Sequence, residues 1–297
     1  MMLDSQQLKH FNTFGFVVMK NVFTNEELIT INQEFKHRSE IASEHMGFDG
    51  SVRHNLRMMG KDTPFFASLL EDTRFAETAE QMFGEVIGFN VDADRYTGDT
   101  VWHYDAGGYE DIGVKFAFYL QPVGAETGAL RVIPGSHKNE LFGELGKYEP
   151  IGPKWTRNAA TPEEKQMAIE HIANVPSYVC ESNPGDVVAF DLRTYHSSLG
   201  GSNDRHMCSV VYHKDPETPE EYEIMTVTIQ GHLAHKDQSS EPWNPPSLDP
   251  DWVANAPKNK NRQKWINRMF EINKLKTGLN GLNIIAENGK LKVIRSS

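Results

Sequence analysis

The chain has 297 residues, of which 38% are hydrophobic and 24% are charged, and its formal net charge is −11. This composition is typical of a globular protein that buries a sizeable core, and it excludes a disordered chain. The acidic balance argues against nucleic acid as a partner, and the absence of any apolar run of ~20 residues argues against a membrane span.

The first elements along the chain are predicted to be helical, with one short strand between them. Residues 4–12 are predicted as a short helix, and the compact apolar run 15–23 as a buried strand. Thr24, followed three residues later by Glu27, forms a capping-box pattern that opens a long amphipathic helix. The polar start of the chain lacks the features of a secretory signal, so we expect a cytoplasmic protein.

A loop and further helices are predicted next. Residues 47–64 show no clear periodicity and are predicted as a long loop, whereas 65–84 are predicted as one or two helices that end at Gly84. We expect residues 1–84 to form a helical N-terminal buttress for the segment that follows.

From residue 85 the pattern changes to short β-like runs separated by Gly, Pro, Asn and Asp. Eight runs are predicted as strands: 85–98, 100–105, 113–123, 128–136, 177–182, 186–198, 205–214 and 222–229. Their number and spacing favour a sandwich, a jelly roll or a barrel over residues 85–230. The long polar stretch 137–176 is predicted to be an insertion that serves as a lid or a pocket wall.

The C-terminal extension, residues 231–297, is basic. From residue 256 onward there are ten Lys and Arg against two acids, so these 42 residues carry +8 and the rest of the chain carries −19. We expect the predicted basic helix 258–276 to lie against the acidic body of its own chain. The pair Asn288-Gly289 predicts a two-residue hairpin. No linker divides the chain, so residues 1–297 are predicted to form one domain.

The strongest chemical signal is a histidine and an aspartate two residues apart. Side chains of a strand alternate between its faces, so His103 and Asp105 point the same way and Tyr104 points away. They match two of the three ligands of a facial triad, the usual non-haem Fe(II) site. The best third candidate among the twelve histidines is His196, at the end of a predicted strand. We call these three residues the triad; the alternative is a hydrogen-bonded pair at a strand end.

Arg205 lies nine residues after His196, in a segment predicted as strand, loop and strand. If the two strands are neighbours, Arg205 lies near the level of His196, where a guanidinium can hold a carboxylate through two hydrogen bonds. The alternative is a surface salt bridge with Asp204 or Asp186.

Three segments together resemble a known family. The sequence "TVWHYD" is similar to its ligand strand, "ETGALRVIPGSHKN" to its IPGSH segment, and "PGDVVAFDLRTYHSSLGGSNDR" to the segment that carries its distal histidine. The chain therefore resembles the phytanoyl-CoA dioxygenase family of Fe(II)/2-oxoglutarate-dependent oxygenases, from "FGFVVMKNVFTNEEL" to about "VVYHK". The resemblance implies a mainly β fold with flanking helices, built on a double-stranded β-helix core (jelly roll, cupin-like).

The resemblance also implies roles for residues. The triad is implied as the iron ligands, and Arg205 and Ser209 as residues that bind 2-oxoglutarate. Family members often have a second arginine two residues after the position of Arg205, where this chain has Met207. If the loop is simply shorter, Arg205 anchors the 2-oxoglutarate carboxylate; otherwise Arg131 or another cation does.

The implied activity is hydroxylation of an unactivated C–H bond of a small-molecule metabolite, with Fe(II), 2-oxoglutarate and O2 as cofactors and ascorbate as a possible support. Tyr109, Arg57 and Arg131 are candidate substrate residues. Two alternatives stay open: the same iron site used for desaturation, cyclisation or rearrangement, and a non-catalytic cupin-like metal-binding protein. The sequence leaves open whether the protein is a monomer or a dimer.

Overall fold

Two antiparallel sheets form the centre of the computed structural model of the protein, which describes residues 2–50, 53–145, 173–201, 204–234, 249–255, 258–277, 282–287 and 290–295 and the single positions 161, 163, 166 and 170. The strands that form these sheets are β1 (Phe16–Met19), β2 (His54–Arg57), β3 (Val86–Tyr96), β4 (Thr100–His103), β5 (Gly113–Tyr119), β6 (Leu130–Val132), β7 (Tyr178–Cys180), β8 (Val187–Asp191), β9 (His196–Ser198) and β10 (Arg205–Lys214).

The larger sheet has the strand order β1-β8-β5-β10-β3-β2, and the smaller sheet has the order β4-β9-β6-β7. Their inner faces meet in one apolar cluster, because Phe16, Ala117 and Met207 of the larger sheet pack with Leu130 and Val132 of the smaller one. The predicted mainly β core is therefore present as two facing layers.

Helices flank these sheets. They are α1 (Ser5–Phe14), α2 (Asn25–Met46), α3 (Pro64–Leu69), α4 (Thr73–Phe83), α5 (Asn139–Leu145), α6 (Pro219–Ala234), α7 (Pro250–Ala254) and α8 (Lys260–Thr277). The capping box predicted at the start of α2 is confirmed, since the Thr24 hydroxyl accepts from the Glu27 backbone N–H and the Glu27 carboxylate accepts from the Thr24 N–H. In the described part of the chain, no helix combines the length and apolar character that crossing a bilayer requires.

The loop predicted over 47–64 is wrong at its centre, where β2 pairs with β3 along the edge of the larger sheet. The burial of β2 alternates, with His54 and Leu56 buried and the residues after them half-buried. Four residues are too few for this alternation to be recognised in the sequence. Arg57 therefore belongs to a strand and not to the predicted loop.

The single strand predicted over 186–198 is divided into two strands. A turn in which the Thr194 N–H donates to the Asp191 carbonyl separates β8 from β9 and carries the chain from the larger sheet to the smaller one. His196 consequently begins a strand and does not end one. The expectation that β9 and β10 are neighbours is also wrong, because they belong to different sheets.

The strand predicted over 222–229 is wrong, since these residues lie in α6. Met225 and Ile229 are buried four residues apart, while Val227 between them is 58% exposed. A strand would place all three on one face, whereas a helix separates them. The β-branched composition of the segment favoured a strand, and tertiary packing against the core overrides that preference.

The basic helix predicted near the C-terminus is confirmed as α8. Trp265 of α8 is 1% exposed, and its ring lies against Gly88 of β3. Arg262 and Lys264 pair with Glu71 and Glu85 of the body of the chain, as expected from the charge distribution. The helix is therefore held by a buried aromatic side chain and by ion pairs at its edges.

The C-terminal hairpin is confirmed by two paired strands, β11 (Leu282–Glu287) and β12 (Lys290–Arg295), in which Glu287 is opposite Lys290. The turn residues 288–289 themselves lie outside the described residues. Most of the predicted insertion 137–176 also lies outside them, apart from 137–145, 173–176 and the single positions 161, 163, 166 and 170.

Candidate active site

The triad residues come together between the two sheets. His103 ends β4 and lies directly opposite His196, the first residue of β9, in the antiparallel pair. Asp105 follows β4, and its backbone N–H donates to the Leu192 carbonyl at 2.9 Å. One ligand atom from each of the three side chains lies within 4.8 Å of the others. The sequence spacing and the sheet register thus place two imidazoles and one carboxylate around one point.

Backbone carbonyls orient both imidazoles toward that point. Nδ1 of His103 lies 2.8 Å from the Val101 carbonyl, and Nδ1 of His196 lies 2.9 Å from the Thr194 carbonyl. A carbonyl oxygen only accepts, so both Nδ1 atoms carry the proton and both Nε2 atoms keep a free lone pair. The tautomer needed for metal binding is therefore set by the backbone.

The donor distances fit a metal ion. Nε2 of His103 and Nε2 of His196 lie 3.6 Å and 3.8 Å from Oδ1 of Asp105. Donors at roughly 2 Å from a metal and at right angles to one another are roughly 3 Å apart, so a small inward movement completes the site.

The electrostatics of the triad keep its ligand atoms available at neutral pH. Burial and the neighbouring His103 lower the pKa of His196 to about 3, so its imidazole is neutral. Burial alone would raise the pKa of Asp105, but the Lys115 ammonium and His196 outweigh it and hold this pKa well below its usual value. Oδ2 of Asp105 accepts a hydrogen bond from Nζ of Lys115 at 2.9 Å. The carboxylate is therefore ionised and fixed in orientation.

The triad opens into a cavity of about 90 Å³ between the two sheets. Its lining combines the triad with cations, hydroxyls and apolar side chains: Arg53, Tyr96, Thr100, Lys115, Ala117, Tyr119, Leu130, Phe190, Ser197, Ser198, Arg205 and Met207. Burial raises the pKa of Tyr119 to about 12, so this phenol stays neutral. Converging polar and charged groups in an enclosed cavity are typical of a site for a small polar ligand.

Arg205 lies in this cavity as a buried cation without a counterion. It is 2% exposed, its Nη2 donates to Ser198 Oγ at 3.0 Å, and its guanidinium lies 5.0 Å from the centre of the Tyr96 ring. No carboxylate of the described residues forms an ion pair with it, and its Nε has no hydrogen-bond partner there. Burying an unpaired charge is costly, so such a group marks a place for an anion.

The alternative role for Arg205, a surface salt bridge, is wrong. The Asp204 carboxylate accepts from Arg95 at 2.7 Å and from His206 at 2.8 Å. The Asp186 carboxylate pairs with Lys20 at 2.8 Å. Both acids therefore have other partners, while Arg205 points into the cavity.

Glycines make the space that the Arg205 guanidinium occupies. A Cβ built on Gly128 or on Gly201 would overlap with Nη1 of Arg205. Gly128 also has a φ of +86°, a conformation that L residues with a side chain rarely adopt. Residue patterns in the sequence did not single out these two glycines, although a glycine at each position is what allows the Arg205 guanidinium to pack so closely.

The remaining predicted cofactor residue lies deeper along the same face of β10. Arg205, Met207, Ser209 and Val211 alternate with core residues, so they share the inner face. Met207 lines the cavity beside Arg205, whereas Ser209 is buried opposite Ala117 and is not among the lining residues.

The three predicted substrate residues are not among those that line the cavity. Tyr109 lies against Phe142, with ring centres 5.6 Å apart, and under the Arg193 guanidinium. Arg57 pairs with Asp92 at 3.0 Å. Arg131 donates to the Ala125 carbonyl at 2.9 Å and neighbours Leu130, which faces the cavity. Sequence reasoning missed Lys115, which lies in a predicted strand of mostly apolar residues.

A β fold of two facing sheets that holds two histidines and one carboxylate around one point is typical of non-haem Fe(II) oxygenases. A family model for phytanoyl-CoA dioxygenase (PhyH) matches residues 11–207, and the chain belongs to the phytanoyl-CoA dioxygenase family. It is a 2-oxoglutarate-dependent non-haem iron dioxygenase with a jelly-roll core, as the sequence predicted.

Similar proteins include two named relatives and two solved structures. The ectoine dioxygenase of Sphingopyxis alaskensis is 22% identical over 222 residues, which are 67% of this chain and 71% of that protein. The ectoine dioxygenase of Bordetella bronchiseptica is 24% identical over 220 residues, 66% of this chain and 70% of that protein.

The structure of HygX from Streptomyces hygroscopicus with nickel and 2-oxoglutarate bound has a TM-score of 0.54 and 18% identity, and it covers 74% of this chain and 94% of that one. EctD from S. alaskensis with 2-oxoglutarate and 5-hydroxyectoine has a TM-score of 0.50 and 18% identity, with 73% and 79% covered. These two likenesses support the fold.

Proposed function

We propose that the triad holds Fe(II), that Arg205 anchors the distal carboxylate of 2-oxoglutarate, and that the enzyme hydroxylates an unactivated C–H bond of a small-molecule metabolite. The observation that carries this proposal is the buried guanidinium of Arg205, which lies in the same cavity as the triad and has no ion-pair partner among the described residues. A metal site alone fits many proteins, whereas a metal site with a separate carboxylate anchor fits a cosubstrate that has two acidic ends.

The register of the smaller sheet supports this placement. Thr100 of β4 is opposite Ser198 of β9, and His103 is opposite His196. Because Arg205 bonds to Ser198, its charge lies two residues along the ladder from the two histidines. A short dicarboxylate can therefore reach from the triad to the guanidinium within one cavity.

The residues of the chain have distinct tasks in this proposal. The Val101 and Thr194 carbonyls hold the imidazoles in the ligand tautomer, and Lys115 fixes the Asp105 carboxylate. Phe190, Leu130 and other apolar residues of the cavity wall exclude water from the reacting groups. Iron, 2-oxoglutarate and O2, when bound, supply oxidative decarboxylation to succinate and CO2 together with oxygen transfer to the substrate.

The names of the relatives support a small molecule as substrate. Ectoine dioxygenase is named for a small metabolite, and we propose a substrate of similar size for this chain.

The test is 2-oxoglutarate binding to metal-loaded protein, with Arg205→Ala compared with Arg95→Ala. Arg95 lies on the same sheet but pairs with Asp204 and is not among the residues that line the cavity, so we expect its loss to leave 2-oxoglutarate binding unchanged. Hydrogen bonds to a charged group contribute roughly 1.5–3 kcal/mol, so we expect Arg205→Ala to raise the Kd for 2-oxoglutarate by roughly 10–100-fold. An unchanged Kd would show that another cation anchors the cosubstrate.

A second arm tests the metal site. Asp105→Ala is expected to abolish Fe(II) binding measured by equilibrium dialysis, and Asp99→Ala serves as the control, because Asp99 bonds to the Gly200 N–H outside the triad. Iron binding that survives in Asp105→Ala would exclude the triad as the ligand set.

A further inference from the structure

We propose that the substrate of this enzyme carries a carboxylate or an equivalent single negative charge, and that Lys115 is the residue that binds it. This inference rests on the proposed iron and 2-oxoglutarate site and adds the chemical class of the substrate. Lys115 lies beside Asp105, the aspartate of the triad.

Lys115 projects from β5 into the cavity. Its side chain is 18% exposed, and its ammonium lies 2.9 Å from Oδ2 of Asp105. The neighbours of Lys115 along the strand, Val114 and Phe116, are fully buried on the other face, in the core beneath the helices. The Lys115 ammonium therefore points toward the triad and not toward bulk solvent.

The ion pair with Asp105 does not explain Lys115 once the site is loaded. A carboxylate that ligates a divalent cation receives its compensating charge from the metal. Asp105 then no longer neutralises the ammonium, which stays in the cavity on a side chain that is only 18% exposed. A buried ammonium without a counterion is unfavourable, so the loaded site attracts an anion.

The charges of the whole cavity lead to the same conclusion. Among the described residues that line it, Arg53 is neutralised by Asp94 at 2.7 Å. Lys115 and Arg205 contribute two positive charges and Asp105 one negative charge. The charges of a divalent metal and a dianionic cosubstrate cancel. The loaded cavity therefore keeps one net positive charge, which an anionic substrate would compensate.

The fold places this remaining charge at the end of the cavity opposite to Arg205. Lys115 is paired across the sheet with Val211, six residues from Arg205 along β10. Six residues of a strand span roughly 20 Å between Cα atoms. On the smaller sheet, Arg205 contacts Ser198 on one side of the histidine pair, whereas Lys115 contacts Asp105 on the other side.

This separation assigns the two cations to different ligands. A cosubstrate whose distal carboxylate lies at Arg205 extends from that end to the triad. The Lys115 end is left for the second organic ligand, and an ammonium on a flexible stem suits a single carboxylate. Arg57, a cation on the edge strand β2, is already paired with Asp92.

The experiment uses protein saturated with Zn(II), which is redox-silent, and with 2-oxoglutarate. The probes are butanoate and hexanoate, each compared with its primary amide, and binding is measured by ligand-observed NMR. We expect the wild type to bind each carboxylate at least 10-fold more tightly than the amide. Lys115→Met should remove this preference, and Lys115→Arg should keep most of it.

Two controls keep the result specific. Lys20→Met removes a lysine that also pairs with a carboxylate, Asp186, but neither residue is among those that line the cavity, so it should leave the preference unchanged. The Kd for 2-oxoglutarate should stay within about 3-fold of wild type in Lys115→Met, which also shows that the variant is folded.

Three outcomes would overturn the inference. Equal binding of carboxylates and amides by the wild type would mean that the substrate is not recognised as an anion. Loss of 2-oxoglutarate binding in Lys115→Met with the carboxylate preference intact would assign Lys115 to the cosubstrate. Failure of the wild-type protein to bind 2-oxoglutarate at all would overturn the proposed function as well. The Kd of the wild type for 2-oxoglutarate distinguishes this outcome from the first two.

Discussion

Nη2 of Arg205 donates a hydrogen bond to Oγ of Ser198 at 3.0 Å, and this contact joins the two sheets across the cavity. Arg205 begins β10 of the larger sheet, and Ser198 ends β9 of the smaller one. The guanidinium is therefore held in place before any ligand arrives. A preorganised cation binds a carboxylate with less loss of side-chain entropy than a mobile one.

Moving the charge by two residues should move the anchor with it. Positions 205 and 207 share one face of β10 and both line the cavity. We expect Arg205→Met to weaken 2-oxoglutarate binding. The double variant Arg205→Met/Met207→Arg should bind 2-oxoglutarate at least about 5-fold more tightly than Arg205→Met, since a charge-assisted hydrogen bond is roughly twice as strong as a neutral one. Calorimetric Kd values are the measurement. A double variant that binds no better than the single one would mean that position 207 does not serve this end of the cavity.

Gly128→Ala should impair cosubstrate binding beyond its effect on stability. The added Cβ would overlap with Nη1 of Arg205, whereas a Cβ on Gly47 meets nothing within 4 Å. Both glycines have positive φ, so each substitution should lower the free energy of unfolding by roughly 1–3 kcal/mol. Only Gly128→Ala should raise the Kd for 2-oxoglutarate, by at least about 10-fold. Equal Kd values for the two variants would contradict the cradle around the guanidinium.

The buried tryptophan and not the ion pairs should dominate the docking of α8. Trp265 is 1% exposed, so Trp265→Ala should destabilise the protein by roughly 3–5 kcal/mol. Lys264 and Glu85 are both largely exposed, so Lys264→Met should change the free energy of unfolding by less than about 1 kcal/mol. Urea unfolding measures both, and similar effects of the two substitutions would refute this ranking.

Acid should remove the contribution of the pair between α2 and α4. Arg74 bonds to Glu27 and holds the pKa of this carboxyl below its ordinary value of 4.5. A carboxyl whose pKa is lower in the folded than in the unfolded protein stabilises the fold at pH values above its unfolded-state pKa. This stabilisation is lost as the pH falls through the folded-state pKa. Arg74→Met should therefore destabilise the protein more at pH 7 than at pH 3. The exposed Lys36–Glu40 pair provides a control, Lys36→Met, with little effect at either pH.

Much of the local structure was predictable because its causes lie within a few residues. The capping box at Thr24 and Glu27 is a contact between residues three apart, and it is present. The i, i+2 spacing of His103 and Asp105 brought both toward one point, although β4 ends at His103. The choice of His196 followed from its flanking segment, and the ladder places it opposite His103.

Other features depend on partners that are distant in the sequence. Residues 222–229 have strand-like composition, but their neighbours in space make them a helix. Residues 54–57 become a strand only because β3 offers an open edge. The segment 186–198 changes sheets at its turn, so β9 and β10 face each other across the cavity instead of pairing.

The sequence by itself determined the class of chemistry, since two histidines and an aspartate in family-like segments already predict a non-haem iron site. Only the tertiary structure decided which cations line the cavity beside the triad. Arg205 has no counterion among the described residues, and Lys115 meets Asp105 because β5 faces the triad. Burial and pairing of charges are properties of long-range contacts, and no local pattern of residues contains them.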